Sequence, residues 1–167
     1  MGREIILSNQ LISIITATIQ DNKKLAKYLV NNVANPLTCE SYVDEKDFKP
    51  ESLILKKIRP YPFDDTSTTK EGTELRIFMH SGELQTEAVV RNSLIIFDVI
   101  VAKSLWLTND GKPSLRPYDM VDCILNHLKD KRISGVGKLH FTEFAHLMIN
   151  EKFSGVRLFA EITDFNK

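Results

Sequence analysis

Apolar residues recur along this chain with two different periods, and the change of period divides it into elements. Residues 94–102 are β-branched or aromatic nearly throughout and apolar at both parities, with Asp98 as the one polar interruption. Such a strand suits the centre of a sheet covered on both faces. Beyond Trp106 and a polar loop, Pro117 stands where a helix tolerates proline, in the first turn. Tyr118, Val121, Ile124, Leu125 and Leu128 then repeat at helical spacing.

Upstream, Ser8 is a candidate N-cap, and Leu11, Ile12, Ile15 and Ile19 share one face, which predicts a helix over residues 8–20. Asp21 and Asn22 break and restart it. A second helix follows with Leu25, Leu29 and Val33 as its stripe, ended by Pro36. Periodicity fades over residues 35–72, where prolines and an Asp-Asp-Thr-Ser-Thr-Thr run predict a long extended connection containing a short edge strand near residues 52–58. Residues 74–80 alternate as a half-buried strand, and residues 82–92 form a connection that protrudes if its flanking strands pair. Asn109-Asp110-Gly111 is a turn, and Gly135 and Gly137 stop the third helical region. Residues 139–149 are strand-like, but their alternation fails near Phe144 and Ala145, which fits either a bulge or a sheet covered on both sides. A turn over residues 150–155 leads to the alternating Val156, Leu158, Ala160 and Ile162. The pattern is α-β-β-α-β-β: one α+β domain over residues 1–167, with helices packed on a mostly antiparallel sheet of four or five strands.

Composition narrows the function. A chain of 167 residues buries roughly 70% of its unfolded surface and needs no staples. Cys39 and Cys123 have neither metal nor redox spacing and read as idle thiols of a reducing compartment. Lys plus Arg and Asp plus Glu number 22 each. The chain therefore lacks the basic surplus that generic phosphate neutralisation needs, although a local patch escapes that count. Near-zero net charge also removes long-range repulsion between copies and so permits a homo-oligomer. The longest apolar runs fall short of the roughly 20 residues that span a bilayer. Ser8, Asn9 and Gln10 interrupt the apolar start too early for a signal peptide, so the expectation is a soluble intracellular protein.

The sequence contains no Gly-rich phosphate loop, nucleophile elbow, His-Glu-x-x-His or Cys-x-x-Cys. A metal-dependent nuclease would need converging acids, with Asp98 and Lys103 as the tempting pair, but their odd separation puts them on opposite faces of a strand. Asp110 and Lys112 have the better parity but fall in a turn. His140 and His146 share strand parity, and His80 could join them at a metal; histidines on a small sheet are more commonly hydrogen-bonded or exposed. Cys123, on the apolar side of its helix, should be inert. Lys56, Arg59, Tyr61 and Phe63 mix cations with aromatics in the long connection. They fit either a partner contact or an arm folded onto the domain. Trp106 is either a cap on the core or an anchor for a partner, and with Tyr61 and Phe63 it would serve a small protein-binding adaptor.

Several stretches together resemble the phage tail terminators and related head-to-tail connector (neck) proteins. These are Lys56-Lys57-Ile58-Arg59-Pro60-Tyr61-Pro62; Phe97-Asp98-Val99-Ile100-Val101 leading to Leu105-Trp106; Leu115-Arg116-Pro117-Tyr118; Gly135-Val136-Gly137-Lys138-Leu139; and Phe153-Ser154-Gly155-Val156-Arg157-Leu158. The resemblance implies a non-enzymatic virion or phage-tail-like particle protein without cofactor or metal. It would form a ring, usually a hexamer, that caps the tail tube, contractile tails included, and meets head-closure, collar or sheath proteins. DNA would pass through the lumen without sequence-specific contact. It also implies Glu83 and Gln85, in the protruding connection, and Arg116 as further subunit or partner contacts beside Lys56, Arg59, Tyr61, Phe63 and Trp106.

Overall fold

The computed structural model describes residues 7–62, 70–84 and 90–162. Helix α1, Leu7–Ile19, buries Ile14, Ile15 and Ile19. The helix is already formed at Leu7, so Ser8 lies inside its first turn and is not the N-cap its chemistry predicts. The chain reverses at Asp21, whose φ of 56° is left-handed. The Asn22 side-chain amide then donates to the Thr18 carbonyl at 3.0 Å, satisfying one of the last carbonyls of α1. Helix α2, Lys23–Val30, stops short of Val33, which is exposed although it continues the apolar spacing.

Strands β1 (Ile58–Arg59), β2 (Thr73–Leu84), β3 (Val90–Ala102), β6 (His140–Met148) and β7 (Phe153–Ile162) form one sheet in the order β1-β2-β3-β7-β6. Strands β4 (Leu107–Asn109) and β5 (Pro113–Leu115) make a separate ribbon that leads into helix α3, Arg116–Leu128. Every pairing in the large sheet is antiparallel except β1 with β2. The fold is the expected α+β domain. Helix α3 ends well before Gly135 and Gly137, which take positive φ in the loop that leads to β6.

The apolar run in β3 lies at the centre, and residues 95–102 are buried as predicted. On one face Ile95, Phe97 and Val99 stand beside Leu75 and Ile77 of β2 and Val156, Leu158 and Ala160 of β7. Helices α1 and α2 pack over β2 at this face, and α3 packs over β3 and β7. Each such side chain contributes about 1.5–3 kcal/mol when fully buried, so this layer is the main source of stability.

The opposite face is also buried at its centre, which corrects the half-buried reading of β2: residues 73–78 are all buried. Charged side chains there satisfy one another. Arg76, Asp98 and Arg157 occupy adjoining register positions on β2, β3 and β7. Arg157 holds both Asp98 oxygens, with Nε at 2.7 Å and Nη2 at 2.9 Å. Glu74 receives Arg76 Nε at 2.6 Å and Arg59 Nε at 3.1 Å. Bidentate pairing of this kind meets the requirement that buried charges be partnered.

The connection over residues 35–72 holds more structure than its fading periodicity predicts. 3₁₀ turns at Tyr42–Asp44 and Pro50–Leu53 bury Val43 and Leu53, and Tyr42 meets Phe48 edge-on with centroids 5.7 Å apart. The edge strand expected over residues 52–58 shrinks to Ile58–Arg59, because the second 3₁₀ turn takes its beginning and Leu55 adopts a left-handed φ of 69°. The turn near residue 150 is also shorter than expected. Asn150 Oδ1 accepts the Lys152 and Phe153 amides, both at 2.9 Å, so Gly155 sits within β7 and not in the turn.

Candidate functional site

Strand β6 forms one edge of the large sheet, and its outer side has no neighbouring strand among the described residues. An edge of this kind presents a row of backbone donors and acceptors to any chain that adds to it. A bulge between Phe141 and Glu143, slightly earlier than expected, sets which side chains go with that edge. Downstream of it, Phe144, His146 and Met148 share register, and so a face, with Leu158, Val156 and Ser154. That is the face the helices cover elsewhere, yet here the side chains are open: Phe144 is 68% and Met148 84% exposed.

Trp106 stands beside this edge. It follows a 3₁₀ turn at Lys103–Leu105, and its indole N–H donates to the Val101 carbonyl at 3.3 Å. Its ring lies edge-on to Tyr118, centroids 6.3 Å apart, and 6.1 Å from the His146 ring. With Lys103, His146, Met148, Asn150, Phe153 and Ser154 it lines an open groove of about 410 Å³. Trp106 is thus pinned at one end and half-buried, a rigid aromatic wall for the groove.

The other predicted contact residues are dispersed. Lys56, Arg59 and Tyr61 lie together around β1, at the opposite edge: Arg59 Nη1 donates to the Leu55 carbonyl at 3.0 Å and reaches the Tyr61 hydroxyl at 3.4 Å, while Lys56 and Tyr61 are exposed. Glu83 is on the β2–β3 hairpin, where it accepts the Asn92 side-chain amide at 3.0 Å. That hairpin runs out to the pairing of Leu84 with Val90. Phe63 and Gln85 lie outside the described residues.

Arg116 is not a contact residue. It is fully buried at the start of α3. Its Nε donates to the Leu105 carbonyl at 2.9 Å and Nη1 to those of Tyr28 and Asn31 at 2.8 and 3.0 Å. Nη2 donates to the Val33 carbonyl at 2.7 Å. A cation placed at the C-terminal end of α2 satisfies carbonyls that the helix cannot satisfy itself. Sequence reasoning missed this role, and it also missed Phe144 and Met148, whose only signal was the broken alternation of β6.

A model of the YomW family matches residues 22–162, from the end of the first helical turnaround to the last residue of β7. The chain belongs to the YomW family. No curated protein matches it. The YomW match takes in Trp106, Arg116 and all of β6, so both the groove and the buried guanidinium lie within the family's domain.

The remaining candidate chemistry in this YomW domain resolves into structural roles. Asp98, the candidate nuclease acid, is neutralised by Arg157, and that pairing raises the pKa of the guanidinium. Asp110 Oδ1 accepts the Leu37 and Thr38 amides, each at 3.1 Å, and so ties the β4–β5 turn to the segment after α2. The bulge in β6 places His140, opposite Glu161, and His146, opposite Val156, on different faces, which breaks the parity that suggested a shared metal. Among the described residues no group of three or more His, Cys, Asp or Glu is placed to hold a metal ion. His146 Nε2 and Ser154 Oγ are 2.9 Å apart, but the serine donates to the Leu147 carbonyl at 3.0 Å. The Leu147 carbonyl and the imidazole thus compete for the one hydroxyl proton of Ser154. Burial pushes the Cys123 thiol up to about 11, which keeps it protonated at neutral pH. Among the described residues no helix is long and apolar enough to cross a membrane.

Proposed function

We propose that this protein is a structural ring subunit of a phage or phage-tail-like particle, placed at the neck or tail end, where copies of the chain cap the tail tube. The reading is carried by the open β6 edge, whose exposed Phe144 and Met148 adjoin the Trp106 groove. The opposite side of the sheet offers a different surface: among the described residues its edge is the two-residue β1, with the exposed Lys56 and Tyr61 near it. Two unlike surfaces on opposite sides of one sheet are what a head-to-tail interface needs, and such an interface closes into a ring when the rotation between copies allows. The balanced charge of the chain places no long-range barrier against packing copies side by side. The β2–β3 hairpin, all exposed over residues 80–84, supplies a projection toward the tube or a neighbouring collar.

The test is assembly. Phe144→Glu and Met148→Glu leave the buried layer untouched and put charge on the β6 edge. Mixed with tail tube protein and imaged, wild-type chain should form rings at tube ends, and the double variant should stay monomeric with unchanged circular dichroism. Rings of normal copy number from the double variant would refute a role for this edge. Failure of the wild-type chain to assemble on tubes, or to control their length, would refute the function.

A further inference from the structure

Strand β6 is not the only open edge of the sheet. Strand β1 pairs with β2 only at Leu75 and Arg76. The chain then leaves that edge: Pro60 has no N–H to donate, and the Pro62 carbonyl accepts from Arg76 Nη1 at 2.8 Å. From Ile77 onward the outer side of β2 therefore has no neighbouring strand among the described residues. Exposed edges are ordinarily guarded by proline or by charge, as β1 is by Lys56, Lys57 and Pro60. Residues 77–81 of β2 and 144–148 of β6 contain no proline, lysine, arginine, aspartate or glutamate.

The two edges differ in what lies over them. Helices α1 and α2 pack over β2, whereas α3 covers β3 and β7 and leaves β6 at the margin of the helical layer. Phe144 and Met148 are open at that margin, and α1 for its part keeps Leu7 and Ile12 exposed. Joining β6 to β6 would set two bare margins together, and joining β2 to β2 would crowd two pairs of helices at one seam. Only β6 against β2 supplies the missing cover. Strand direction agrees, since β2 is antiparallel to β3, β3 to β7 and β7 to β6. A neighbouring copy in the same orientation therefore presents its β2 antiparallel to β6.

We propose that a continuous sheet closes the ring, β6 of one copy adding as an antiparallel strand to the outer side of β2, from Ile77 onward, in a second copy. This joint presupposes the ring proposed for the protein and names its contact. To form it, β6 must clear the partner's β1. Met148 stands level with Thr73 through the pairings Met148–Ser154, Ser154–Val101 and Val101–Thr73. It meets the partner's Ile77, the first open residue, after a slide of four residues, from 73 to 77. A constant stagger of this kind is what closure of a tilted sheet requires. Met148 then falls beside the partner's Ile77 on the helix side and Leu147 beside the partner's Phe78 on the other, so apolar meets apolar on both faces. The turn after β6 brings Glu151 to the partner's Lys56; both are exposed, and neither is in an ion pair among the described residues.

The experiment starts from the chain with Cys39→Ser and Cys123→Ser, to which Ser81→Cys and Ala145→Cys are added singly and together. Both sites are exposed, and both lie on the face that carries Asp98, because Ser81 pairs with Leu94 and Ala145 with Arg157. Each chain is assembled on tail tube protein, treated with a short bismaleimide and run on a denaturing gel. Amide exchange is compared between free and assembled wild-type chain, which keeps the test independent of the cysteine changes. The double variant should give a ladder of covalent multimers, and each single variant should stay monomeric. Exchange over residues 77–81 and 144–148 should slow by about tenfold or more on assembly, the effect of new backbone pairing. Rings in which the double variant does not cross-link, or in which residues 77–81 exchange as in the free chain, would overturn the joint and leave the ring standing. Cross-linking of Ala145→Cys alone would overturn it in favour of a contact between two β6 strands. No assembly at all would overturn the ring and the joint together.

Discussion

Replacing Arg116 tests how the helical layer is held to the sheet. The guanidinium reaches four carbonyls on three stretches of chain: the end of α2, the segment just after it and the 3₁₀ turn before Trp106. Arg116→Met keeps most of the volume and removes every donor. Two effects then compete. Removing a buried charge relieves the desolvation that already lowers the Arg116 pKa, and swapping a whole buried ionic group for apolar residues is often neutral. The carbonyls remain, however. Those of Tyr28 and Leu105 meet the guanidinium in buried hydrogen bonds, whereas those of Asn31 and Val33 are only partly enclosed and can turn to water. Two orphaned buried acceptors at about 1–3 kcal/mol each put the loss near 4 kcal/mol, a large fraction of the roughly 5–15 kcal/mol that stabilises a domain. With a urea m-value of about 2 kcal/mol/M, the unfolding midpoint should fall by about 2 M. Arg116→Lys, whose single ammonium cannot span all four sites, should fall by about half as much. Urea unfolding followed by circular dichroism measures both, and amide exchange at the end of α2 should accelerate in each variant. A midpoint shift under about 0.5 M for the methionine variant would show that water or rearrangement replaces the guanidinium, and the staple argument would fail.

Gly155→Ala should destabilise the domain by about 3 kcal/mol or more, the scale of overpacking against rigid backbone. The new methyl collides with the Val99 carbonyl oxygen and would lie 2.8 Å from its carbon; a melting temperature within a few degrees of wild type would count against the β3–β7 spacing. Alkaline pH should also weaken the fold through Cys123. Its thiol titrates at about 11 in the folded chain against 9.0 for the reference group, so its contribution is complete below pH 9 and is lost as pH rises toward 11. Tyr28, raised by burial and by the nearby Asp119 charge, extends the decline above pH 10. Allowing for the partial exposure of Cys123, the thiol accounts for about 1–2 kcal/mol, and Cys123→Ala should flatten the urea midpoint between pH 8 and pH 11 by that amount. A decline unchanged by the substitution would assign it to other groups.

The α+β class, the central position of β3, the two N-terminal helices and the helix begun at Pro117 were all legible from apolar spacing. Burial must follow the 3.6- or 2-residue period of the backbone, and that constraint is local. Errors fell where a boundary depends on what packs there. Val33 continues the spacing of α2 but lies past its end, where Arg116 takes the carbonyls, and Gly155 looks like a turn residue until its tight approach to Val99 is seen. What only the tertiary structure decided are relations between residues far apart in the chain. Arg116 was moved from surface candidate to buried staple by the arrival of α2 above it, and Asp98 was matched to Arg157 by the pairing of β3 with β7. A single extra residue in β6 sent His140 and His146 to opposite faces, and the order of strands left Phe144 and Met148 on an open edge. Composition counted basic and acidic residues as equal, and folding brought Lys56, Lys57 and Lys70 to the lining of one pocket. Spacing along a chain reports which face a side chain takes, whereas register between strands decides what it meets there.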